Sequence, residues 1–106
     1  MPKFLLQVNY TAEGARGLHI EGGTKRREAA RHAAESLGGR LEAFYFSFGA
    51  QDVVCICDMP DAVSMAAVSL AVTESGSSET RTTPLLTVED MDHAVSKHTA
   101  YRKPGA

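Results

Sequence analysis

The stretch from Leu37 to Asp61 reads LGGRLEAFYFSFGAQDVVCICDMPD. It parses as a helix end, a strand, a sharp turn, a second strand and the start of another helix. Leu37 closes an apolar helical pattern, and Gly38-Gly39 can take the left-handed conformation that ends a helix. From Leu41 to Phe48 the residues are aromatic and strand-favouring. Side chains alternate across a strand, so Phe44, Phe46 and Phe48 are predicted to share one face. Leu41, Ala43, Tyr45 and Ser47 then share the other. The Phe face calls for a cover of helices. Gly49-Ala50-Gln51-Asp52 is a turn signal. Val53 to Cys57 is apolar without a break, the pattern of a strand buried on both faces. In 106 residues that requires helices on one face and a second subunit or a ligand on the other. Pro60 ends the strand, and Asp61 suits a helix N-cap.

Upstream, Lys3 to Tyr10 alternates as a strand, with Phe4, Leu6, Val8 and Tyr10 opposite Lys3, Leu5, Gln7 and Asn9. Thr11 to Gly23 can start a short helical turn, but Gly14, Gly17, Gly22 and Gly23 argue against one long helix. Thr24 is the N-cap candidate of the first main helix. Arg27, Ala30, Ala34 and Leu37 form its predicted inner stripe, with Ala33 beside it. Lys25, Arg26 and Arg27 crowd its N-terminus; this reads as a solvated basic turn before an anion site.

Downstream, Asp61 to Glu74 is a helix apolar nearly all round, predicted to be buried on more than one side. Glu79 to Val88 reads as a fourth strand, and Pro84 within it implies an edge position or a bulge. Thr87 or Glu89-Asp90 opens a last helix with Met91, Ala94, Val95 and His98 as its apolar stripe. Residues 100–106 are a tail that either stays flexible or docks on a neighbour.

Strand, helix, strand, strand, helix, strand is the split βαβ arrangement of an α+β, ferredoxin-like fold. It predicts a four-stranded antiparallel sheet in one domain, with both main helices on one face and a C-terminal helix appended. Net charge is −2, which argues for neither nucleic acid nor an anionic membrane as partner. The N-terminus alternates like a strand, unlike a signal peptide, and no apolar run approaches the roughly 20 residues of a membrane helix. A cytoplasmic location is the expectation.

Cys55 and Cys57 are two apart on one strand, with Cα atoms about 6.6 Å apart and parallel side chains. They read as two reduced, buried thiols and not as a metal or redox pair. Walker A, dinucleotide-binding, zinc-ligand and nucleophile-elbow patterns are all missing. His93 and His98, five apart, do not stack on one helical face as a metal pair would. His19 stands out because the glycine-rich segment around it can border the open sheet face. Tyr45, Gln7, Asn9, His19 and Asp52 are therefore the candidate ligand-binding residues. Tyrosine and its polar neighbours at such a place also suit a subunit interface.

Tyr10-Thr11-Ala12-Glu13-Gly14, Leu37-Gly38-Gly39, Phe44-Tyr45, the Gly49–Asp52 turn and Met59-Pro60-Asp61 together resemble GYD domain proteins. These are small bacterial proteins named for a Gly-Tyr-Asp motif and similar to the dimeric α+β barrels. The resemblance runs from about Phe4 to Thr87. It departs at Ala50-Gln51, where the family usually shows a basic residue and tyrosine. It implies the fold and a homo-oligomer, dimer or higher, and no particular reaction. The expected function is a binding or accessory role, with the open sheet face mated to a second copy and a small-molecule ligand admitted. Neither metal nor cofactor is expected on this reading. The alternative is a cofactor-independent enzyme or a haem-type site in a cavity at the sheet face.

Overall fold

A computed structural model describes all 106 residues. The strands are β1 (Lys3–Tyr10), β2 (Arg40–Phe46), β3 (Val53–Asp58) and β4 (Ser78–Leu85). The helices are α1 (Ala12–Glu21), α2 (Gly23–Ser36), α3 (Ala62–Glu74) and α4 (Val88–Val95). The sheet has order β2-β3-β1-β4 and every pairing is antiparallel. This is the predicted α+β, ferredoxin-like sheet, with α2 packed on β2 and α3 on β4. Pro84 lies on edge strand β4, as its missing N–H requires. No helix is long and apolar enough to cross a membrane.

The cross-strand rows sort the side chains by face. Leu41–Cys57–Phe4–Pro84, Phe44–Cys55–Leu6–Thr82 and Phe46–Val53–Val8–Thr80 face the helices. The core forms there, from Phe4, Leu6, Val8, Val53, Cys55 and Cys57 against Ala34, Met59, Met65 and Val68. Both cysteines are free and buried. The neighbouring Cys57 thiol and burial push the Cys55 thiol far above its usual range, which keeps it protonated and inert.

Strict alternation fails in β2. Leu41 pairs with Cys57 and Ala43 with Ile56, so Glu42 is an extra residue in a bulge. The bulge turns Leu41 to the core side with Phe44, not to the side of Ala43 and Tyr45 as alternation predicted. Phe48 lies beyond the strand and is fully exposed, so it has no place on the Phe face.

The Thr11–Gly23 segment is also more regular than its glycines predicted. Thr11 caps α1, its hydroxyl accepting from the Gly14 N–H at 3.2 Å and donating to the Gly76 carbonyl at 3.0 Å. A Cβ on Gly14 would lie 1.9 Å from the Ser77 carbonyl oxygen, so this glycine serves close packing. Gly22, at φ +84°, ends α1 and stands as the N-cap of α2, two positions ahead of the predicted Thr24. In α2 the buried residue is Ala34; Arg27 is exposed, and Arg26 is the half-buried arginine. The α2 exit is a Schellman motif: Gly38, at φ +81°, donates to the Glu35 carbonyl and Gly39 to that of Ala34.

Asp61 caps α3 through the Ser64 N–H at 2.7 Å, as predicted. Only Met65 and Val68 of α3 are buried, however, and Val63 and Leu70 are 79% and 68% exposed. One sheet supplies one packing surface, so in the single chain the outer side of this apolar helix has no cover.

Gly14 and Gly17 sit one helical turn apart and give opposite expectations. Nothing lies within 4 Å of a Cβ on Gly17. Gly17→Ala should raise stability by about 0.5–1 kcal/mol, and Gly14→Ala should lower it by about 2 kcal/mol. Denaturant midpoints of the two variants check this; shifts of the same sign would contradict the packing assigned to Gly14.

Candidate functional site

The other face of the sheet carries the rows Arg40–Asp58–Lys3–Leu85, Ala43–Ile56–Leu5–Thr83 and Tyr45–Val54–Gln7–Arg81, then Asn9–Glu79. No helix packs on it. Its centre is apolar: Leu5, Ala43, Val54 and Ile56 are half-buried by one another, and Tyr45 is 70% exposed. Its ends are polar, and each end is organised differently.

At one end the Asp58 side chain is only 6% exposed and holds two cations. Lys3 Nζ lies 2.7 Å from Oδ1, and Arg40 Nη2 lies 2.7 Å from Oδ2. Lys3 also reaches Glu42 Oε1 at 2.6 Å. The β2 bulge supplies Glu42 to this network. The hydrogen bonds from Lys3 and then Arg40 hold the Asp58 carboxyl below the usual carboxylate range.

At the other end the β2–β3 turn is tied to the end of β1. Asp52 Oδ2 accepts from the Tyr10 N–H at 2.8 Å. The Asp52 N–H donates to the Val8 carbonyl at 2.9 Å and to Asn9 Oδ1 at 3.2 Å. The Ser47 N–H donates to the Asp52 carbonyl at 2.8 Å, which closes the hairpin. Gln7 Nε2 donates to Gln51 Oε1 at 3.1 Å. Beside these bonds is a polar cavity of about 120 Å³ lined by Gln7, Asn9, Gln51, Glu79, Thr80 and Arg81.

Of the predicted site residues, Gln7 and Asn9 thus share this cavity, and Tyr45 lies in the same row as Gln7. Asp52 joins them as the anchor of the turn. His19 is not brought to this face: it is exposed on α1, which packs against α2 and the end of β1. The haem-type alternative loses its intended imidazole by that placement. Tyr10 faces the helices, where burial raises its phenol against the opposing effect of Arg26. The basic turn of α2 is largely matched, Arg26 by Glu21 at 3.1 Å and Arg27 by Glu28 at 3.5 Å.

Sequence reasoning passed over Glu79 and Arg81, although the alternation Glu79, Arg81, Thr83 against Thr80, Thr82, Pro84 carried the signal. It also passed over Gln51 and the Lys3–Asp58–Arg40 network, whose members lie far apart in the chain.

The family model of the GYD domain matches residues 4–95. The chain belongs to the GYD domain family. No curated protein and no solved structure matches it. In this GYD domain the turn keeps Gly49 and Asp52 around Ala50-Gln51. The aspartate is accounted for by its bond to the Tyr10 N–H, which needs no tyrosine before it. Gln51 instead faces the polar cavity and binds Gln7.

The Asp58 network sets an expected acid response. Its folded carboxyl sits below the ordinary value of about 3.9. Its contribution to stability is present above that pH and is lost as pH falls through the depressed folded value. Asp58→Asn should lower stability near neutral pH and flatten the loss as pH falls below about 4. Asp61 and Asp90 are held low by helix-cap hydrogen bonds and keep a residual slope. Denaturation midpoints against pH check this; an unchanged profile would remove the network's assigned role.

Proposed function

We propose that this GYD domain works as a homo-oligomer whose open sheet faces mate, in a binding or accessory role. The carrying observation is the patch of Leu5, Ala43, Val54 and Ile56 across two neighbouring rows, apolar and left uncovered by every helix of its own chain. Apolar side chains in such a plane gain roughly 25 cal/mol for each Å² withdrawn from water. The flanking polar ends support the same reading, because an apolar centre with a polar rim is the anatomy of an interface. Tyr45, apolar in its ring and polar at its tip, suits that surface.

The cavity between Gln7, Asn9, Gln51, Glu79 and Arg81 supports a small polar ligand at the rim. Its volume of about 120 Å³ corresponds to roughly four waters of bulk volume. The amides of Gln7, Asn9 and Gln51, with the Glu79 carboxylate and the Arg81 guanidinium, offer both donors and acceptors to such a guest.

Sedimentation velocity tests the reading. The unaltered chain should sediment as a dimer or larger species at micromolar concentration. Ile56→Glu places a carboxylate in the centre of the mated faces and should raise the dissociation constant about a hundredfold. Its far-UV circular dichroism should stay unchanged, since Ile56 faces away from the core. An unaltered association constant in this variant would overturn the reading.

A further inference from the structure

The polar cavity at the rim of the open face holds two charges that nothing in the chain answers. Glu79 and Arg81 sit on one face of β4, opposite Asn9 and Gln7 of β1, and both line the cavity. Neither takes part in any ion pair of the chain. The other end of the same face is different. There Asp58 is matched by Lys3 and Arg40, and Glu42 by Lys3.

The amides between the two charges are oriented by their own hydrogen bonds, and those bonds decide which atoms are free. Asn9 Oδ1 accepts from the Asp52 N–H at 3.2 Å, so the Asn9 amide has its Nδ2 donors to offer. Gln7 Nε2 donates to Gln51 Oε1 at 3.1 Å, which leaves Gln7 Oε1 as an acceptor and Gln51 Nε2 as a donor. The cavity thus combines a free guanidinium and amide donors with a free carboxylate and an amide acceptor.

Size and charge together select the guest. The volume of about 120 Å³ admits only a molecule of few atoms. A small anion that meets Arg81 there also meets the like charge of Glu79, and a small cation meets that of Arg81. A guest that answers both must carry both signs itself, close together. Mating of the open faces sharpens the demand, because a charge withdrawn from water without a partner is strongly destabilising.

We propose that this cavity binds a small zwitterion, an α-amino acid of the size of glycine or alanine. Its carboxylate meets Arg81 and the free amide donors of Asn9 and Gln51, and its ammonium meets Glu79 and Gln7 Oε1. The inference rests on the rim-ligand reading above and deepens it by naming the ligand class.

Calorimetric titration of the full chain with glycine tests it, with acetate and methylamine as probes that each carry one of the two charges. Glycine should bind saturably, and each single-charge probe about tenfold more weakly or not at all. Arg81→Met and Glu79→Gln should each weaken glycine binding about tenfold. Both residues are exposed, so the far-UV circular dichroism of the variants should stay unchanged. Absence of glycine binding, acetate binding as tight as that of glycine, or binding untouched by both variants overturns the proposal. So does an Arg81→Met variant that loses self-association with glycine absent while the unaltered chain ignores glycine, since the two charges then pair across mated copies. Sedimentation of the glycine-free samples separates the two readings. A single-chain species refutes face mating whatever glycine does, and an oligomer that fails to bind glycine refutes the zwitterion site alone.

Discussion

One layer of helices can cover only one face of a sheet. In this chain that constraint governs everything else, because both faces carry apolar side chains. The helix side takes the Phe4, Leu6 and Val8 row partners and closes a core with Ala34, Met65 and Val68. The other side keeps Leu5, Ala43, Val54 and Ile56 without a cover. Only 13 of 106 residues are buried, so the single chain leaves apolar surface that burial would stabilise. The same shortage shows on the outer side of α3 and along α4.

The polar ends of the open face make it a defined surface and not a slippery one. A flat apolar plane specifies register weakly. Here Asp58 draws β1 and β2 together through Lys3 and Arg40, with the β2 bulge delivering Glu42 to the same network. At the far end Asp52 and Asn9 fix the β2–β3 turn to the last residues of β1. These two ties hold the rows in line, and so hold the apolar centre in one shape.

Much of this architecture was legible in the sequence, for local reasons. Glycine pairs, alternation, Pro84 and Asp61 each act within a few residues, and each appears where its own physics puts it. The readings that failed depended on distant neighbours. Gly14 and Gly17 look like helix breakers, but α1 tolerates them because Gly14 meets the Ser77 carbonyl more than sixty residues away. The Glu42 bulge reversed Leu41, since period-two reading cannot register one inserted residue. Phe48 fell in the turn, where aromatic content says nothing of burial. Arg26, four and eight residues before Ala30 and Ala34, takes the half-buried place expected of Arg27. In the candidate site, Gln7, Asn9 and Tyr45 followed from alternation alone. His19 did not, because its segment is a helix on the other side of the sheet.

The central claim is that a second copy covers the open face. Native mass spectrometry of the unaltered chain across a dilution series tests it most directly. The account predicts masses at whole multiples of the 11.4 kDa chain, two or more, that give way to the single chain only on dilution. A single-chain mass at every concentration, with Tyr45 and Ile56 freely accessible to covalent labelling, would contradict it.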